Sequence, residues 1–308
     1  MNPPVLRYAI LLAAAFWLGA IPQTVVAQPT DPIFSDTFES GDFTSSENGF
    51  RWGRPNRTSI VRDDGCAVHI DPPRCVDGNP GEWENGPGDI GRHSMRFRYP
   101  TGESWAEQRF SIGGAYEEIW IRFWLRVPVN FNMNPQGPNS SNNNQKLFAL
   151  WQDGYAGHGT GPTIVWNFWR QSSNGGARFD FVLGGDSQSR GHFGSYEDFM
   201  LPEDAGRWMQ LVLYAKNSSA DGALDGEVGI WRRWEDEADF TLISKAPGRG
   251  FSFPESGPVG WQAGYVMGWA NSTYAETTEF LMDDFVISSS SLLKAVARPR
   301  APNDVLAQ

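Results

Sequence analysis

Between about residue 33 and residue 288 the chain alternates apolar and polar positions in short runs, and clusters of Gly, Pro, Asn and Asp separate the runs. Alternation at period two is the mark of a strand with one face on a core and the other turned away from it. The clearest case is Glu118 to Val127. Ile119, Ile121, Phe123, Leu125 and Val127 fall on one face, and Trp120, Arg122, Trp124 and Arg126 on the other. The same pattern predicts strands over His93–Tyr99, Gln108–Ile112, Lys146–Trp151, Thr163–Arg170, Ala177–Leu183, Arg207–Lys216, Glu227–Trp234, Gly264–Trp269 and Glu279–Ser288. Helix is expected only as a turn near Tyr196–Leu201 and a weak segment near Leu292–Ala297. Asn130–Gln145 reads as a long polar loop, and Glu235-Asp236-Glu237 as a turn. Many short strands with turn signals between them, without linker or repeat, predict a single all-β domain of sandwich type over 28–290 and a tail over 291–308.

The N-terminus follows another rule. Arg7 precedes an unbroken apolar run from Ala9 to Ile21, and Val25-Val26-Ala27 supplies small residues for cleavage. This is the layout of a secretory signal peptide over residues 1–27, too short to span a bilayer comfortably, so a secreted or periplasmic protein is expected. Cys66 and Cys75, close together in a stretch of Asp, Gly, Pro and Arg, then read as one disulfide in an oxidising compartment. With 25 Lys and Arg against 36 Asp and Glu, and only four lysines, the chain has no basic stripe for nucleic acid. It is expected to act as a monomer, with no membrane span once the leader is removed.

Three stretches resemble concanavalin A-like lectin and glucanase domains. Ile33-Phe34-Ser35-Asp36-Thr37-Phe38-Glu39 looks like the first strand of that fold, Gly206-Arg207-Trp208 through Asp225-Gly226-Glu227 to Trp231 like its late hairpin, and Phe280-Leu281-Met282-Asp283-Asp284-Phe285-Val286 like its closing strand. The resemblance implies a jelly-roll β-sandwich of two antiparallel sheets. Within it, Ile119-Trp120-Ile121-Arg122-Phe123-Trp124 and Lys146-Leu147-Phe148-Ala149-Leu150 are similar, distantly, to polysaccharide lyases of family 14. Such enzymes cleave uronic-acid polymers by β-elimination with a lysine, an arginine and tyrosines. The lysine carries over to Lys146. Trp169-Arg170 matches a Trp-Arg pair, Trp166 stands in place of the arginine, and Phe179 and Phe181 stand in place of the tyrosines.

β-Elimination needs a cation or amide beside the uronate carboxylate and a base for the C5 proton. Lys146, Arg122 and Arg109 are candidates for the first role, although Arg109 could instead pair with Glu107. Tyr155, His158 and Tyr265 are candidates for the second, with Tyr155 and His158 set among glycines in the loop 152–161. Trp124, Trp151 and Trp166, with Arg170, are expected to line the sugar groove. Trp166 and Trp169 are three apart and must take opposite faces. Paired carboxylates in the Glu-x-Asp-x-x-Glu arrangement of glucanases are absent, which argues against glycoside hydrolysis. Asp36, Glu39 and Asp284, on first and last strands expected to be adjacent, suggest a structural calcium ion. The expected partner is a polysaccharide. The readings left open are a lyase acting on an acidic polymer, a non-catalytic glycan-binding module, and a structural domain without a sugar ligand.

Overall fold

A computed structural model describes residues 32–62, 66–67, 74–75, 93–133, 144–155, 158–170, 174–185 and 192–294. The expected leader, the tail from residue 295 and most of the polar loop between Asn130 and Gln145 lie outside the described residues.

The described residues form seventeen strands. In chain order they are β1 (Phe34–Asp36), β2 (Arg51–Asn56), β3 (Thr58–Arg62), β4 (Cys66–Ala67), β5 (Arg74–Cys75), β6 (His93–Tyr99), β7 (Trp105–Tyr116), β8 (Glu118–Arg126), β9 (Asn144–Trp151), β10 (Thr163–Arg170), β11 (Ala177–Gly184), β12 (His192–Met200), β13 (Trp208–Lys216), β14 (Gly226–Trp234), β15 (Thr241–Arg249), β16 (Trp261–Trp269) and β17 (Thr278–Ser288). They form two antiparallel sheets. One has ten strands in the order β15-β14-β13-β8-β17-β6-β3-β4-β5, with β1 paired to β17, and the other has seven in the order β12-β11-β10-β9-β16-β7-β2.

Alternation holds the two sheets together. Ile119, Ile121, Phe123 and Leu125 of β8 and Leu147, Phe148, Ile164, Trp166, Phe168, Phe179 and Phe181 of the facing sheet are all buried in one apolar cluster. Phe123 stacks on Phe148 across the sandwich at 5.9 Å between centroids, and Phe148 meets Trp166 edge-on at 5.9 Å. Rings of this size dominate the area removed from water, which is why an aromatic-rich β chain can close on two layers.

The first and last strands are neighbours, as expected: Asp36 of β1 lies opposite Phe285 of β17. Cys66 and Cys75 are directly opposite partners in the β4–β5 ladder. The expected helical turn near Tyr196–Leu201 is instead the end of β12, and the helical residues that follow are the 3-10 turn Pro202–Asp204. Pro202 explains the shift, since its fixed φ starts a turn and disfavours α conformation at the residue before it. Among the described residues no helix is long and apolar enough to cross a membrane.

Candidate functional site

The site is built on the outer face of the seven-stranded sheet, the side away from the shared core. Three residues in register across it, Lys146, Asn167 and Asp180, are Cα partners on β9, β10 and β11. Strict alternation would put Lys146 on the face opposite Trp151, five positions on. A register shift in the β9–β10 ladder pairs Phe148 with Trp166 but Lys146 with Asn167, leaving Leu147 as an extra residue. Leu147 and Phe148 both enter the core. The bulge therefore brings Lys146 to the same face as Ala149 and Trp151.

Lys146 is half-buried, and burial lowers its pKa from the ordinary lysine value. Among the described residues it has no ion-pair or hydrogen-bond partner. Asn167 beside it is 2% exposed, and its Oδ1 has no hydrogen-bond partner among the described residues. A buried acceptor left without a donor costs free energy unless something outside supplies one.

Further along the sheet, Tyr265 lies opposite Ala149 on one side and Arg109 on the other. Ala149, Trp151 and Tyr265 form a small cluster on this outer face, with Tyr155, Val165 and Ala263 packed against it. Ala149, Val165 and Ala263 make a low floor between the larger rings. Trp151 meets Tyr155 edge-on at 5.4 Å, and the His158 ring lies nearly parallel to that of Tyr155 at 6.1 Å.

Glu107 organises this end. It is 2% exposed and accepts from the Tyr155 hydroxyl (2.9 Å, Oε2), from Trp105 Nε1 (3.1 Å, Oε2) and from Arg109 Nε. The Arg109 guanidinium also lies 4.0 Å from the centroid of the Tyr155 ring. Arg109 does pair with Glu107, and the pair in turn fixes the tyrosine. Burial, then the Glu107 charge and the hydrogen bond to it, push the Tyr155 pKa up to about 12, with Arg109 opposing. Burial first, and Glu107 after it, raise Tyr265 as well.

The loop that carries Tyr155 and His158 is closely folded. A side chain on Gly159 would run into the Asp153 carbonyl, and Gly154 adopts φ +67° beside the Gly159 backbone. Asp153 accepts from both the backbone and the hydroxyl of Thr160 at 3.1 Å, which lowers its pKa. The glycines serve close approach here.

Lys146, Tyr155, His158, Tyr265, Arg109 and Trp151 are thus on one face, and Arg122, Trp124, Trp166 and Arg170 are not. Trp166 is in the core with no exposure, and Trp169, of opposite parity, takes the outer face. Phe179 and Phe181 are core residues too, so the outward positions of β11 are Arg178 and Asp180. Arg170 ends β10 opposite Ala177, on the core parity. Arg122 and Trp124 do alternate outward as expected, but from β8 in the ten-stranded sheet, and the sandwich separates them from Lys146. Trp124 is buried there with Val61, Trp208 and Leu281.

The three carboxylates expected to hold calcium are not brought together. Asp36 is buried and accepts from Trp52 Nε1 and the Phe38 backbone at 2.8 Å each, and Glu39 accepts from the His93 backbone and ring. Asp284 sits at φ +50° in a bulge of β17, its charge felt by Arg122. Among the described residues no group of three His, Cys, Asp or Glu side chains could hold a metal ion.

Two antiparallel sheets packed on one core, with an outward polar and aromatic face, define a jelly-roll β-sandwich. Among solved structures the chain is similar to the alginate lyase vAL-1 from Chlorella virus, at 10% identity and TM-score 0.47, over 80% of this chain and 95% of that one. It is also similar to the exoplasmic/lumenal domain of VIP36 in its Ca2+/Man2-bound form (11% identity, TM-score 0.39, 81% and 92%) and to an engineered GH43 glycoside hydrolase (11%, 0.42, 84% and 41%). At these identities the likeness is one of fold. No protein-family model and no curated protein matches the chain.

Proposed function

We propose that the protein is an exported, carbohydrate-active sandwich whose seven-stranded sheet takes an acidic polysaccharide. One observation carries the reading: in an acidic chain, Lys146 stands half-buried on an outer sheet face without a carboxylate partner among the described residues, beside a buried amide oxygen that lacks a hydrogen-bond donor among them. A cation kept partly desolvated and unpaired is suited to an anion that arrives from solvent. The partly exposed ring of Tyr155 supplies surface for the C–H face of a sugar, and the buried rings of Trp151 and Tyr265 pack against it.

The same arrangement suits β-elimination. The base removes the C5 proton, the C4–C5 double bond forms, and the C4–O4 bond breaks with a proton delivered to O4. Lys146 offsets the carboxylate charge, His158 takes the proton, and Tyr155, held protonated by burial and Glu107, gives one to the leaving oxygen. Non-catalytic glycan binding is the second reading. It is favoured by Tyr155 being tied to Glu107, which leaves the site without a preformed tyrosinate base.

The test is to incubate wild type, Lys146→Ala and Tyr155→Phe with alginate, glucuronan and neutral β-glucans, following ultraviolet absorbance of unsaturated ends and binding by calorimetry. Binding of an acidic polymer that Lys146→Ala weakens supports the proposal, and unsaturated product identifies a lyase. A wild-type protein that binds no acidic polymer would sink it.

Export is supported by the layout of residues 1–27. The direct opposition of Cys66 and Cys75 supports a disulfide formed in the exported protein. Titration of the secreted protein should find no reactive thiol.

A further inference from the structure

Arg122 lies on the wrong sheet to help Lys146, and its surroundings have a composition of their own. On the outer face of the ten-stranded sheet, β8, β13 and β14 run side by side. Trp120 faces Tyr214, which faces Gly229, and one outward position along, Arg122 faces Val212, which faces Trp231. The three rings form a cluster: Trp120 to Tyr214 at 4.3 Å and 34° between planes, Trp120 to Trp231 at 5.7 Å and 31°, and Tyr214 to Trp231 at 6.5 Å. Trp120 and Trp231 are partly exposed, and neither belongs to the core.

Gly229 shows how the platform is laid. A Cβ there would come within 2.7 Å and 2.8 Å of the six-membered ring of Trp231, so the ring rests over bare backbone. Glu118 accepts from Trp120 Nε1 at 3.2 Å and also bonds Tyr214, which steadies two of the rings from one side. On the other side of Trp120, its partner on β17 is Ser288.

Ser288 and Arg122 also line a cleft of about 400 Å3, together with Ser35, Ser291, Leu292 and Lys294. The Arg122 Nε is buried without a hydrogen-bond partner among the described residues. Asp284 offsets part of the arginine charge, and Lys294 adds a second cation. A cluster of aromatic rings tilted on one another, two of them partly exposed, bordered by two cations and three hydroxyls, matches the two halves of an anionic sugar: a ring with an apolar C–H face and a carboxylate or sulfate with oxygens to satisfy.

We infer that the outer face of the ten-stranded sheet is a second, non-catalytic binding site for an anionic sugar, with Trp120 and Trp231 under the ring, Tyr214 packed against both, and Arg122 and Lys294 on its acidic group. The site stands independently of the proposed function of Lys146, and a chain carrying both could grip one polymer on two faces.

The experiment is calorimetry of the full chain with short oligouronates and with a sulfated oligosaccharide, on wild type, Lys146→Ala, Arg122→Gln, Gly229→Ala and the Lys146→Ala/Arg122→Gln double variant. All are to be compared at matched melting temperature. Wild type should take up a second equivalent that persists in Lys146→Ala and weakens by about tenfold in Arg122→Gln and in Gly229→Ala, where the added methyl lifts the Trp231 ring. Which oligosaccharide shows the effect tells whether the acidic group is carboxylate or sulfate. A single equivalent abolished by Lys146→Ala would overturn the second site and leave the first standing. A single equivalent abolished by Arg122→Gln would do the reverse. Arg122→Gln and Gly229→Ala proteins that bind both oligosaccharides like wild type would also overturn the inference, as would a cleft already filled by the chain's own ends, which would leave no second equivalent to titrate.

Discussion

The two outer faces of the sandwich use the same residue types to different ends. On the seven-stranded sheet the cation is isolated: Lys146 has a small floor of Ala149 and Val165 beside it, and the charged pair Glu107–Arg109 is spent on fixing Tyr155. On the ten-stranded sheet the charges are distributed, with Arg122 near Asp284, Arg233 and Lys294 beside them and Lys245 paired with Glu227 at 2.6 Å, around rings tilted against one another. One face sets a lone, half-buried ammonium beside buried polar side chains, as chemistry or tight recognition requires. The other spreads a cluster of rings over three strands, which suits holding. The contrast separates a residue's being outward from its being part of a site.

The sharpest way to break the comparison is to strike the layer between the faces. Trp166→Ala removes a fully buried ring that packs on Phe148 and should cost about 3–5 kcal/mol of unfolding free energy by denaturant titration. Trp231→Ala, on the outer platform, should cost about 1 kcal/mol or less. Equal losses would mean that Trp231 belongs to a core, and the holding face would lose its meaning.

Next in size is the loss at the isolated cation. If the protein is a lyase, Lys146→Ala should lower turnover on an acidic polymer by about a hundredfold or more, the scale seen when a group that stabilises developing negative charge is removed. Arg122→Gln should leave turnover on a short oligosaccharide unchanged, because the core lies between it and Lys146. A parallel loss in both variants would contradict the separation of the faces.

A smaller effect concerns Tyr155. An unfolded tyrosine ionises near pH 10, whereas the folded one holds its proton to about 12. Between those values the native state keeps a proton that the unfolded state has lost, so stability should fall as pH rises through that window. Glu107→Gln removes the negative charge next to the hydroxyl and should move the tyrosinate absorbance transition to lower pH. No movement would show that burial alone sets the value.

Smallest is the cost of the cation to the fold. Lys146→Met replaces a desolvated, unpaired ammonium with an apolar chain of similar length, so its melting curve should lie within about 0.5 kcal/mol of wild type, or above it. A large destabilisation would reveal a partner for Lys146 among residues not described here.

Most central strands were legible from alternation and the edge strands β2, β12 and β15 were not, while β3, an interior strand of five residues with four of them buried in a row, shows no alternation to find. β8, β10, β13 and β17 carry continuous apolar faces because neighbours cover them on both sides, and period two finds them. β2 and β15 escape that reading and are edge strands interrupted by Pro55 and Gly53, and by Pro247 and Gly248. Proline is tolerated at an edge because no ladder bond is lost there. β12, expected as a helical turn, is also an edge.

The site was half legible for a related reason. Alternation shows that Arg122 and Trp124 face outward but carries no information about which sheet they face out of, since that depends on long-range pairing of β8 with β13 and β17. The pairing of Glu107 with Tyr155 joins positions 48 apart, and only the folded register brings them within reach. Asn167 and Asp180 could have been found: they interleave with the phenylalanines and Trp166 of β10 and β11, and the parity that buries those rings turns the two polar side chains outward.

The extra residue at Leu147 also bears on how chain length can vary in this strand. Because the bulge absorbs it, deleting Leu147 would leave Gln145 facing inward and Lys146 outward on an uninterrupted ladder, whereas a deletion at Ala149 would have no slack to take up and would swap the faces of one half of β9. Relatives that differ by one residue here could therefore keep the same lysine in the same place, and an alignment without a gap would set it against the wrong neighbour.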